Sequence, residues 1–465
     1  MSSFPNNLFA GKRFAVLGLG RNGLPAARAL AAMGAEVVAW DDNVAARVDA
    51  ADVMLRDLRT DDFAFDALVM SPGIPHVLPA PHPVAARARA WRVPILSDAE
   101  LLFRAVRLSG SRARFVGITG TNGKSTTTAL LAHILARSGR KVAAGGNLGP
   151  GSLALKLLPD SGTYVLEMSS YMLERIATLR FDAAAMLNLS ADHLDRHGDM
   201  VGYVAAKRAV FDRQTADDLA VVGVDDEHSR EIAQSLRERM ARVVTVSGHQ
   251  PADVSGHQPA DVWCDRSVLR DADGVIVPMK EAHALPGAHN AQNAAAAAAI
   301  ATAFGVSRAD VVRGLQSFPG LPHRQQRVAT IGGITFVNDS KATNADAAAR
   351  ALGCYDRLVW IAGGIAKEGG IESLTPLFPR IARAFLIGRD APALAATLAA
   401  RCVKHEIAGT LDAAVPAAFA AARATGAPVV LLSPACASFD QFSGFDARGD
   451  RFAALVSQLA RGRAA

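Results

Sequence analysis

Between an apolar run and a helical stretch the chain reads GITGTNGKSTTT, Gly117 to Thr128. Such a glycine turn lets backbone N–H groups close around phosphate oxygens at a helix N-terminus. Lys124 then reaches terminal phosphates and Ser125 is a ligand for Mg²⁺. The strict phosphate-loop spacing places a glycine where Ile118 stands. The competing reading is a structural turn capped by Ser125, but lysine and hydroxyl at the required offsets favour a nucleoside triphosphate.

Other side chains suit the same chemistry. Glu167 closes the strand-like TYVLEM, and NLSADHLDRHG supplies Asp192, His193 and Asp195. Carboxylate and imidazole at strand ends beside phosphates suit a hard cation such as Mg²⁺. Glu167 as a helix cap and His193 as an ordinary loop histidine are equally open on the residues alone. Lys207 in YVAAKRAVFD has the spacing of a solvated helical lysine. His289, Asn290 and Asn293 open an alanine-rich helix, where the amides either cap it or pair with an adenine edge. Arg324 in LPHRQQ and Asp339 in VNDSKATN are a candidate phosphate clamp and a candidate partner of ribose or metal-bound water, or else a structural ion pair. At the N-terminus Gly18, Gly20 and Gly23 form G-x-G-x-x-G, with Asp41 about twenty residues on, a dinucleotide fingerprint when taken alone.

The elements that must position these groups alternate. RFAVLGLGRNGLPAARALAAMGAEVVAWDD is a βαβ unit, and RFVGITGTNGKSTTTALLAHILARSG starts a second strand, glycine turn and helix. ITFVNDS, RLVWIAGG, RAFLIG and PVVLLSPA follow a Pro and Gly cluster at Phe318 to Pro322. The expected fold is α/β in three domains. A Rossmann-like domain spans 1–108, a central phosphate-loop ATPase-like parallel sheet 109–320, and a second Rossmann-like domain 321–465. In such sheets ligands gather at the carboxyl ends of parallel strands.

Composition narrows the classes. The 465 residues are 50% hydrophobic and 20% charged, enough for several cores and against extended disorder. Four scattered cysteines suggest neither a disulfide framework nor zinc. A net charge of +6 comes without any dense basic run, so nucleic-acid binding is not expected. No leader or membrane-spanning stretch is evident, so the expected location is cytoplasmic; a monomer is expected for want of heptads. The octapeptide VSGHQPAD is repeated in tandem, Val246 to Asp253 and Val254 to Asp261. A metal reading through His249 and His257 yields to duplication in a surface loop.

TGTNGKS resembles the Mur ligase superfamily, and NDSKATN, GGIAK and LLSPACASFDQFSGFDARGDRF are similar to its D-glutamate-adding branch. The resemblance implies an ATP-dependent ligase joining D-glutamate to UDP-N-acetylmuramoyl-L-alanine through an acyl phosphate, in peptidoglycan precursor synthesis. It implies ATP at Gly120, Thr121, Asn122, Gly123, Lys124, Ser125, Thr126, Asn290, Asn293, Arg324 and Asp339. Two Mg²⁺ sites are implied at Ser125, Glu167, His193 and Lys207, the lysine carrying a carbamate, because an ammonium repels a cation that a carbamate would bind. The nucleotide-sugar falls to Gly20, Arg21, Asn22, Asp41, Ser71, Gly73 and Asn147. D-glutamate falls to Thr343, Lys367, Ser438 and Phe445. The implied catalytic groups are Lys124, His193, Lys207 and Arg324. Another ligase of the superfamily is the nearest rival and a nicotinamide oxidoreductase the chief rival of another class, although a dehydrogenase needs no second phosphate loop. A non-catalytic nucleotide-binding module stands further off.

Overall fold

In the computed structural model, which describes residues 3–240, 242–249 and 259–461, the short apolar runs become strands of mainly parallel sheets. The first sheet has the order Glu36–Trp40, Arg13–Leu17, Ala67–Met70, Ile95–Leu96, all parallel. Side-chain alternation sends Phe14 and Val16 into one core and Ala15 and Leu17 into another, as expected of a sheet covered on both faces.

The central sheet has nine strands among the described residues. From Val142–Gly146 through Thr163–Glu167, Arg114–Thr119, Ala183–Met186, Leu219–Gly223 and Val243–Ser247 to Val262–Asp265 the pairing is parallel. Val268–Asp271 and Gly274–Pro278 complete it as antiparallel strands. The alanine-rich helix Ala288–Ala303 is buried from Asn290 to Ala301 and packs on Lys124–Arg137. Its small side chains permit the close approach. No helix among the described residues is long and apolar enough to cross a membrane.

Contacts divide the chain into two units. The first comprises 1–282 and 288–318, and in it the N-terminal and central sheets share a continuous core that runs through Leu101, Leu102 and Val106 of helix Asp98–Leu108. The second comprises 283–287 and 319–465. Its sheet runs Gln326–Ile331, Ile334–Asn338, Val429–Leu432, Leu358–Gly363, Ile381–Ile387, His405–Gly409, parallel except for the first pair. The break falls within the Pro and Gly cluster. The inclusion of 283–287 carries no signal in the sequence.

The duplicated octapeptide is not wholly loop. Val246 and Ser247 of the first copy lie in a strand and pair with Val262 and Trp263, because Asp261 accepts from Thr245 N at 2.6 Å and Thr245 Oγ1 at 2.7 Å. His249 lies 3.6 Å from Asp225, and His257 falls outside the described residues.

Glu100 ties helix Asp98–Leu108 to the turn at 176–179. Its fully buried carboxylate accepts N–H bonds from Ala177, Thr178 and Leu179 and a hydroxyl bond of 2.6 Å from Thr178. Burial alone would raise its pKa, but these donors outweigh burial and hold it below the ordinary carboxylate value. The bond set therefore stabilises the fold above the ordinary carboxylate range, and that contribution is lost as pH falls through the depressed value. Glu100→Gln should lower the unfolding free energy by roughly 2–3 kcal/mol at pH 7, since an amide turns donors toward donors. The urea midpoint measures it, and the difference from wild type should shrink toward pH 3.

Candidate active site

The loop after Arg114–Thr119 turns through two glycines with positive φ, Gly120 at 143° and Gly123 at 85°. A Cβ on Gly123 would lie 2.1 Å from Asn293 Oδ1, so both backbone conformation and space require glycine there. Helix Lys124–Arg137 starts at once. Its Lys124 Nζ donates to the carbonyls of Gly120 at 2.9 Å and Thr121 at 2.8 Å. Ser125 and Thr126 are buried in the first turn.

The loop is held from behind by residues that carry no motif. Asn188 accepts from Thr121 N and Asn122 N, through its carbonyl and its side chain respectively, and donates to Gln292 at 2.9 Å. Gln292 in turn donates to Asp225. Asn293 accepts from Thr127 Oγ1 at 3.2 Å and donates to Asn290 at 3.1 Å. Sequence reading found Asn290 and Asn293 but missed Asn188 and Gln292; the polar cluster NAQN inside an alanine helix was the available signal for Gln292.

Lys207, in helix Met200–Arg208, is buried, and its Nζ donates to Gly120 O at 2.8 Å. Two lysines thus share one carbonyl. Burial first, then the Lys124 ammonium, hold the Lys207 pKa well below its ordinary value, only partly opposed by Asp192 and Glu167. Glu167 ends its strand buried; Oε1 accepts from Asn147 at 2.8 Å, while Oε2 has no hydrogen-bond partner among the described residues. A buried carboxylate oxygen without a partner is costly unless something absent here completes it. His193 is half-exposed with φ 53°, 3.4 Å from Asp192. Left-handed backbone at a non-glycine residue is commonly tied to function. Lys124, Asn147, Asp192, His193, Tyr203 and Lys207 line one cleft of about 240 Å³, together with Gly73. No three carboxylate, imidazole or thiol groups converge among the described residues.

Gly73 reaches this cleft because the segment Ser71 to Ile74 is clamped. Arg175, buried, donates to the carbonyls of Met70, Ser71 and Ile74, and Arg196 donates to those of Gly73 and Ile74. Burial lowers Arg175 to about 10. Beside it the fingerprint glycines behave as their spacing predicts: Gly18 has φ 88°, and a Cβ on Gly23 would overlap Gly18 O. Asp41, however, accepts from Leu19 N at 2.6 Å and Asn43 N at 2.8 Å, so it shapes the turn. Asn22 donates to Asp98 and Gly146 O, while Arg21 is exposed and Gly20 has open space about it.

In the second unit Asp339 is buried, accepting from Gln325 N at 3.1 Å and Ser433 Oγ at 2.8 Å. Burial raises its pKa to about 7 against those bonds and nearby Arg324. Thr343 is half-buried, Ser438 is buried, Lys367 is exposed and Phe445 packs near Lys341. The residue that organises this end of the sheet is Arg448, which motif reading passed over. Its buried guanidinium donates to Ser340 Oγ and O, Gly363 O and Cys436 O, tying together the turns that follow three strands.

Comparison with known proteins matches a Mur ligase middle domain to residues 118–301 and a Mur ligase, glutamate ligase domain to 323–436. A UDP-N-acetylmuramoylalanine–D-glutamate ligase of Caulobacter vibrioides is 48% identical over 98% of this chain and 97% of its own. One of Paramagnetospirillum magneticum is 50% identical over 98% and 99%. Among solved structures, UDP-N-acetylmuramate–alanine ligase from Thermotoga maritima shares the fold with TM-score 0.60 at 17% identity, covering 96% of this chain and 99% of that one. With near-complete coverage at such identity, the chain belongs to the Mur ligase family, among the relatives of the UDP-N-acetylmuramoylalanine–D-glutamate ligases.

Proposed function

We propose that this protein joins D-glutamate to UDP-N-acetylmuramoyl-L-alanine in the cytoplasm, forming ADP and phosphate in peptidoglycan precursor synthesis. The observation that carries the reading is the cleft in which Lys124, Lys207, His193 and Asn147 meet beside the glycine loop, together with full-length relatives that bear this name. A carboxylate is a poor electrophile, because its charge repels an amine and oxide does not leave. Transfer of a phosphoryl group from ATP to the L-alanine carboxylate makes a phosphate leaving group, which the D-glutamate amine displaces.

The assignments follow the three regions, 1–108 for the nucleotide-sugar, 109–320 for ATP and 321–465 for D-glutamate. Lys124 exchanges its carbonyl partners for phosphate oxygens, and the N–H groups of Gly120 to Thr126 line the same loop. Asn290 and Asn293 take the adenine side, and Arg324 and Asp339 are likewise assigned to ATP. Gly20, Arg21, Asn22, Ser71, Gly73 and Asn147 attend the nucleotide-sugar, with Asp41 acting through the turn it shapes. Thr343, Lys367, Ser438 and Phe445 attend D-glutamate.

Glu167 Oε2, His193, Ser125 and a carbamate on Lys207 form a donor set suited to two Mg²⁺ ions, whose charge would offset that of the transferring phosphoryl group. Burial supports the carbamate. Only a neutral amine adds to CO₂, and burial, which lowers the Lys207 pKa well below its ordinary value, favours that form.

ADP release should require both UDP-N-acetylmuramoyl-L-alanine and D-glutamate. Release with L-lysine or diaminopimelate in place of D-glutamate would move the protein to another ligase, and a change in nicotinamide absorbance to a dehydrogenase. Lys124→Ala should lower kcat about 10²–10³-fold with an unchanged circular dichroism spectrum; product made at the parental rate contradicts the phosphate assignment. In ¹³C-bicarbonate the wild type should show a carbamate carbonyl resonance that is missing from Lys207→Gln. Its absence from both would remove the modification.

A further inference from the structure

Beside the cleft lies a constellation that the reading above leaves unused. Ser170, three residues past Glu167, lines the cleft and has its Oγ 2.9 Å from Nε2 of His197. His197 Nδ1 is 3.0 Å from Glu174 Oε1. Three residues of helices Ser170–Leu173 and Leu194–His197 and the cap Glu174 thus stand in the order hydroxyl, imidazole, carboxylate. The His197 side chain is only 1% exposed, lies parallel to the Tyr171 ring at 5.5 Å and touches Tyr203 on another side. Its position is therefore fixed by packing as well as by bonds.

The hydrogen-bond pattern sets the tautomer. A carboxylate accepts, so Nδ1 carries the proton and Nε2 is left as an acceptor for the Ser170 hydroxyl. The lone pairs of Ser170 Oγ are then directed away from the ring, and the residue itself lines the cleft. Charges around the imidazole maintain the neutral form. Burial first, and Arg196 with it, lower its pKa, against Asp195 and Asp192. His76 on the far side of Glu174 is itself held down to about 4, by burial and by Arg175 and Arg196, and adds no charge at neutral pH.

Amide formation must dispose of a proton. When the amine nitrogen attacks the acyl-phosphate carbonyl, its N–C bond forms, the C–O bond to phosphate breaks, and the nitrogen sheds one proton. We propose that Ser170, His197 and Glu174 are the proton acceptor for this step: the amine N–H passes to Ser170 Oγ as the serine proton moves to His197 Nε2, and the imidazolium so formed is paired with Glu174. The imidazolium then returns its proton to solvent. This rests on the ligase reading and adds to it a base distinct from the groups assigned to ATP and metal.

Phosphoryl transfer to the substrate carboxylate needs no such base, which separates the two half-reactions. In the wild type, ADP release that depends on both substrates checks the underlying reading before any variant is made. His197→Gln, and Ser170→Ala as the smaller change, should lower amide formation with D-glutamate about 10²–10³-fold. Hydroxylamine, far less basic than the D-glutamate amine, forms an adduct acidic enough to lose its proton to water without a protein base, and should still trap the acyl phosphate as hydroxamate within threefold of the wild-type rate in the same variants. Glu174→Gln should fall between. Unchanged amide formation in Ser170→Ala overturns the proposal, and so does an equal loss of amide and hydroxamate, which would mark the three residues as structural supports of the cleft.

Discussion

One backbone carbonyl, that of Gly120, accepts from the Nζ atoms of both Lys124 and Lys207, and the local electrostatics follow from that sharing. Two like charges so close inside a protein cannot both persist cheaply. Lys207, the buried one, is the group whose pKa falls, by burial first and then by Lys124. The carbonyl is presented to both only because Gly120 turns with φ 143° and Gly123 with φ 85°. Space for Gly123 in turn exists because it lacks a Cβ that would strike Asn293. A conformational freedom in two glycines thus bears on the pKa of a lysine more than eighty residues away.

The same economy of contacts appears at the strand ends. Parallel strands leave their last carbonyls pointing at the ligand side of the sheet, and three buried arginine or glutamate side chains gather them or the turns beside them. Arg175 holds the Met70 to Ile74 turn, Arg448 holds the turns after Ile334–Asn338, Leu358–Gly363 and Val429–Leu432, and Glu100 holds the N–H groups of 177–179. Each is a full or partial charge buried against several backbone dipoles. The arrangement fixes geometry at the cost of desolvation, visible in the lowering of both Arg175 and Arg448 to about 10.

These residues explain what the sequence did and did not disclose. Apolar runs of four to seven residues bounded by glycine or polar residues disclosed the strands, and lysine and hydroxyl after a glycine turn disclosed the nucleotide loop, because both signals are local. Asn188, Arg175 and Arg448 act across long separations in chain, and nothing in their neighbours marks a side chain that will be held there. Asp41 also has a structural part that its spacing from G-x-G-x-x-G does not disclose, since its oxygens accept from Leu19 N and Asn43 N. The octapeptide repeat misled for a related reason: Val246 and Ser247 of its first copy join the sheet by pairing with Val262 and Trp263, which lie beyond the repeat.

Charge placement about the cleft has a directional logic. Lys124 and Lys207 lie on the loop side with Glu167, whereas the imidazoles lie on the side of helices Ser170–Leu173 and Leu194–His197. After burial, Lys124 depresses His193 and Arg196 depresses His197, each against Asp192 and Asp195. A neutral imidazole is able to take a proton or donate a lone pair, and a cationic one is not. Positive charge beside the nucleotide loop therefore serves two ends at once, attracting phosphate directly and keeping the neighbouring histidines in their basic form. Neutralising Lys124 by bound phosphate would relax that second effect at His193, while His197, depressed by burial and Arg196, would keep its own.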